Sequence, residues 1–120
     1  MPALLAALAV VAPAAAQQEP GWVQKRTAQL QALDKVTARI TIVDAPVNQP
    51  VRFGTLSVTV RACNARPPEE VPDAAAWLEV LDTRNDPNGA AVFRGWMFAN
   101  APGVSMLEHP VYDLRVLECK

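Results

Sequence analysis

"TLSVTVRAC", residues 55–63, alternates Leu56, Val58, Val60 and Ala62 with Ser57, Thr59 and Arg61. Successive side chains of an extended chain point to opposite faces, so this stretch reads as a strand with one dry and one wet side. "VTARITIVD", residues 36–44, repeats the pattern, setting Val36, Ala38, Ile40 and Ile42 inward against Thr37, Arg39 and Thr41. Between the two, "APVNQPVRFG" holds two prolines and a glycine, a composition that suits a long hairpin connection.

Downstream, "AAAWLEVLD" (74–82) and "AAVFRGWMF" (90–98) flank "TRNDPNG", whose Asn88-Gly89 supplies the positive backbone dihedrals of a hairpin turn. In the second of these Trp96 and Phe98 share a face with Val92, and Met97 shares the other with Phe93. A strand apolar on both sides is either covered or a contact surface, and "GWMF" is expected as a central strand anchoring the core. "NARPPEEVPD" (64–73) has three prolines and must be an extended surface loop. "VYDLRVLEC" (111–119) is the last expected strand. Upstream, "WVQKRTAQLQALDK" (22–35) is rich in helix formers and suggests a short helix with a thin stripe of Leu30 and Leu33. The fold expected is all-β: a small sandwich or open barrel of about five to six mainly antiparallel strands, with that short N-terminal helix.

The first residues have a different character. Ala3 to Val11 is an unbroken apolar run, Pro13 follows it, and Ala14-Ala15-Ala16 offers the small residues of a cleavage site before Gln17. Residues 1–16 therefore read as a secretory signal peptide, residues 17–29 as a flexible lead-in, and residues 30–120 as a single β domain. Nine apolar residues are fewer than the ~20 needed to span a membrane, so no transmembrane span is expected after cleavage.

The chain's 120 residues carry eleven basic and twelve acidic side chains, a net charge of −1. Neither a nucleic-acid footprint nor a polybasic membrane patch fits that balance. The two cysteines, Cys63 and Cys119, pair most simply as a disulfide in an exported chain. They lack the C-x-x-C spacing and neighbouring ligands of a redox or metal pair.

Candidate chemistry gathers in "GWMFANAPGVSMLEHPVYDL" (95–114), which holds the only histidine and the only tyrosine. No G-x-S-x-G elbow is present, and a catalytic or metal site would have to be built around His109 with Glu108 and Asp113. Adjacent residues in an extended chain diverge, which separates Glu108 from His109. Pro110 holds His109 extended, and its ring is expected to hydrogen-bond a nearby carbonyl or carboxylate. "LEHPVYD" then reads as a stiff corner bearing a partner-binding surface of Trp96, Glu108, His109, Tyr112 and Asp113. No catalytic residue, metal or cofactor is expected.

"LDKVTARIT", "FGTLSVTVRAC", "RPPEEVPDAAAWLEV" and above all "FRGWMFANAPGVSMLEHPVYDLRVLEC" resemble the family called domain of unknown function 2155, exported proteins of alphaproteobacteria. The likeness covers about residues 30–119, with Trp77 and Arg115 standing where that family has Phe and Trp. It implies export, the disulfide, and a setting near respiratory or envelope assemblies, without a mechanism. The function expected is a non-enzymatic periplasmic protein that binds or supports such an assembly through an envelope or membrane-associated protein partner. The alternative is a small periplasmic hydrolase or metal-dependent enzyme centred on Glu108, His109 and Asp113.

Overall fold

The structure, a computed structural model, describes residues 21–84, 88 and 90–120. The expected signal peptide and the first residues of the lead-in lie outside the described residues, as does Gly89 of the expected turn. Eight strands are present among the described residues: β1 (Val23–Gln24), β2 (Thr27–Asp34), β3 (Arg39–Pro46), β4 (Val51–Phe53), β5 (Leu56–Ala65), β6 (Ala74–Asp82), β7 (Ala90–Phe98) and β8 (Tyr112–Cys119). The larger sheet runs β1-β5-β6-β7, with β4 also on β5; the smaller runs β3-β2-β8. Every pairing is antiparallel. Two faced sheets with free edges make an open sandwich rather than a closed barrel.

The core lies between the sheets. Leu56, Val58 and Val60 of β5 and Leu78 and Val80 of β6 meet Leu30 of β2 and Val116 of β8, all buried. Alanines at 28, 32, 45, 74 and 76 fill the remaining inward positions and let the two sheets approach closely. Cys63 on β5 is bonded to Cys119 on β8, with Cα atoms 5.6 Å apart, so the disulfide joins one sheet to the other. Among the described residues no helix is long and apolar enough to cross a membrane.

Several local expectations are corrected. Residues 22–35 form no helix: β1 and β2 occupy them, and both overlap the stretch expected as a flexible lead-in. Ala28, Leu30 and Ala32 alternate with Gln29, Gln31 and Leu33, and pairing to β3 on one side and β8 on the other overrides the helical composition. β3 presents the opposite face from the one expected. Asp34 Oδ1 accepts from the Val36 and Thr37 amides, Ala38 adopts φ 57°, and Asp34 pairs with Arg39. That turn sets a register in which Val43 and Ala45 lie opposite Leu30 and Ala28, while Ile40 and Ile42 are 58% and 51% exposed. A one-residue change of register inverts every side chain of a strand.

In β5 a bulge between Val60 and Ala62 turns Ala62 outward and brings Cys63 inward. The expected 45–54 connection contains β4, closed onto β5 by the tight turn at Gly54. "GWMF" is not central: among the described residues β7 is an edge strand of the larger sheet, Met97 enters the core, and Trp96 faces solvent.

Candidate functional site

The connection from β7 to β8, residues 99–111, is held to the body by buried Leu107 and ends in the His109-Pro110 corner. The His109 side chain is only 6% exposed. Its Nδ1 accepts from the amides of Val111 and Tyr112, at 3.0 and 3.2 Å. An acceptor at Nδ1 places the ring proton on Nε2, which donates to Asp82 Oδ2 at 2.8 Å. That bond, followed by the Arg84 amide, holds the Asp82 carboxyl below the usual aspartate range.

Tyr112 packs behind this pair. Its ring stands edge-on to Phe53 at 5.3 Å and 5.2 Å from the His109 ring, and its hydroxyl accepts from the Thr55 amide at 3.4 Å. The corner therefore ties β8 to the end of β6 and to the β4–β5 turn. Both ring nitrogens of His109 are occupied, which leaves neither free to move a proton to a substrate or to bind a metal.

The five residues expected to form one binding surface occupy different settings. His109 and Tyr112 are inside the corner network, whereas Glu108 is exposed. Asp113 lies on the outer face of β8, 3.5 Å from Lys35 Nζ, and the same ammonium donates to the His109 carbonyl. Trp96 belongs to the outer face of the other sheet. Glu108, His109 and Asp113 are not brought together. The acid that meets His109 is Asp82, 27 residues upstream, which no local pattern in the sequence marked. No group of three or more His, Cys, Asp or Glu side chains suited to a metal ion occurs among the described residues.

Beside the corner, Pro102, Gly103, Met106 and Leu107 face Asp113, Leu114 and Arg115 across a mostly apolar groove of about 280 Å³. Met106 stands exposed on its loop side, and Val104 of the same loop is exposed as well. Among the described residues β8 pairs with β2 on one edge only. The Lys35 amide donates to the Val111 carbonyl, so the alternation of an antiparallel ladder turns the polar groups of Asp113 and Arg115 toward β2. Those of Leu114 and Val116 point the other way. The groove thus has an apolar wall and an unpaired strand edge.

No solved structure matches this chain. An uncharacterised protein of Rickettsia prowazekii (strain Madrid E) is 23% identical over 88 residues, covering 73% of this chain and 57% of the relative. The chain thus spans little more than half the length of the curated relative it matches. Residues 28–119, from the start of the β2–β3 hairpin to the disulfide cysteine of β8, match the family described as "Uncharacterized protein conserved in bacteria (DUF2155)", and the chain belongs to that family.

Proposed function

We propose that this protein is a non-enzymatic periplasmic binding module that holds an extended segment of an envelope or respiratory assembly protein against the free edge of β8. The observation that carries the reading is the groove beside Leu114. Unpaired backbone groups there supply hydrogen bonds to an added strand, and Met106, Leu107 and Pro102 supply contacts for its side chains. Export rests on the apolar run and Ala-x-Ala site of residues 1–16. The occupied ring of His109 supports binding over hydrolysis.

Two measurements test this. Cell fractionation with amino-terminal sequencing should find the protein in the periplasm beginning at Gln17. A photoreactive residue at Met106 should cross-link one envelope protein in intact cells, while the same probe at exposed Val71, remote in sequence and outside the groove, should not. Cytoplasmic protein with an intact start, or equal labelling from both positions, would refute the reading.

A further inference from the structure

All three tryptophans of the chain lie outside the core and on one side of the larger sheet. Trp77 projects outward from β6, between buried Ala76 and Leu78, directly opposite Trp96 of β7. Trp96 is 40% exposed. Trp22, just before β1, lines a shallow open cleft with Asn64, Ala75, Trp96 and Phe98, of about 290 Å³. Register explains the cleft: Asn64 lies opposite Ala75, which lies opposite Phe98. A small residue between two larger ones leaves a floor with raised sides.

The lining carries no charged side chain. Arg66 is spread over the Trp22 indole at 4.0 Å and paired with Glu70 at 3.9 Å. The Asn64 side-chain carboxamide has no hydrogen-bond partner among the described residues. An amide both donates and accepts, the capacity that a pair of hydroxyl groups complements. Indole faces carry negative quadrupole charge and attract the weakly positive C–H face of a flat saturated ring. The lining itself offers an ionic ligand no counter-charge.

We infer that this cleft is a binding site for an uncharged glycan, with a pyranose ring stacked on Trp96 and its hydroxyls hydrogen-bonded to Asn64. The site is separate from the β8 groove, and its occupation requires nothing of that groove. A chain that builds its core from alanine, valine and leucine and places every indole on one wet face has an amphipathic platform where packing needs none.

Because the three indoles surround or adjoin the site, intrinsic fluorescence reads it directly. The purified protein should be titrated with tetrasaccharides of glucose and of N-acetylglucosamine, with a proline-rich peptide in parallel. At least one glycan is expected to shift the emission saturably. Trp96→Ala should weaken that binding about 10-fold or more, Asn64→Ala should weaken it as well, and Trp96→Phe should restore part of it. Trp22 and Trp77 still report in the Trp96 variants, and an unchanged melting curve separates lost binding from lost fold. The inference is overturned if neither glycan shifts the emission, if Trp96→Ala binds as tightly as the parent, or if the proline-rich peptide alone saturates the signal.

Discussion

His109 Nε2 and Asp82 Oδ2 lie 2.8 Å apart across the corner of the sandwich, joining the entry to β8 with the end of β6. The same ring accepts two backbone amides on its other nitrogen, so one side chain satisfies three polar groups. Removing it strands all of them. His109→Ala should therefore destabilise the protein by about 2–3 kcal/mol in urea unfolding, whereas exposed Glu108→Ala should change it by less than about 0.5 kcal/mol. Equal, negligible costs for the two would show that the corner is not held by this network.

Acid should loosen the same corner. The folded carboxyl of Asp82 titrates below its ordinary value because His109 donates to it. A depressed carboxyl contributes stability that is complete above the unfolded value of ~3.9 and is lost as pH falls through the lower folded value. Urea midpoints measured from pH 6 downward should fall in that acid range. Asp82→Asn should start less stable at pH 6 and show a shallower fall.

The turn between β4 and β5 admits a sharp steric test. A Cβ on Gly54 would stand 2.2 Å from the Tyr112 hydroxyl oxygen, and Gly54 has φ +56°. Gly54→Ala should cost about 2 kcal/mol or more through clash and backbone strain together. Tyr112→Phe in the same chain should relieve part of it, because the hydroxyl goes while the ring carbon stays. A double-mutant cycle giving strict additivity would contradict the contact.

Cys63 and Cys119 close a loop with a sequence separation of 56. Loss of the bridge through Cys63→Ser should lower the unfolding free energy by about 2–4 kcal/mol, and labelling of the denatured protein should find free thiols only after reduction. An unchanged melting temperature would mean that the bond contributes nothing to the fold.

Ile40→Ser and Ile42→Ser should each leave stability within about 0.5 kcal/mol, since both side chains face water, while Val43→Ser should cost more. The outcome decides which face of β3 is buried.

That strand shows what the sequence disclosed and what it concealed. Strict alternation in 55–63 identified a strand and its inward residues as far as Val60, because a period of two is local information. In 36–44 the same alternation ran through a turn: Asp34, Arg39 and the positive φ of Ala38 set the register, and the apolar residues at 40 and 42 ended outside. In 22–35 the alternation of Ala28, Leu30 and Ala32 was present but masked by helix-forming glutamines and leucines. The disulfide was legible because there were only two cysteines to pair. The candidate sites were legible only in part: a carboxylate on the His109 ring was expected from the local residues, but that the acid is Asp82, and that Trp22 and Trp96 line one cleft, depends on how distant strands are stacked. Trp96 exemplifies this: two-faced hydrophobicity argued for a central strand, yet among the described residues β7 is an edge and its indole faces solvent.

The disulfide sits at one pole of the sandwich and the His109–Asp82 bond at the other, and each links an element of the larger sheet to the smaller sheet or the segment leading into it. The molecule is built like a locket, with a permanent hinge and a reversible clasp. Partial opening is therefore directional: the sheets part first at the clasp, where a proton can undo the contact, and last at the hinge. In amide hydrogen exchange the residues around Leu56 and Tyr112 should open ahead of those around Cys63, so the unlocked form still carries the intact Trp22–Trp96 cleft at the hinge pole.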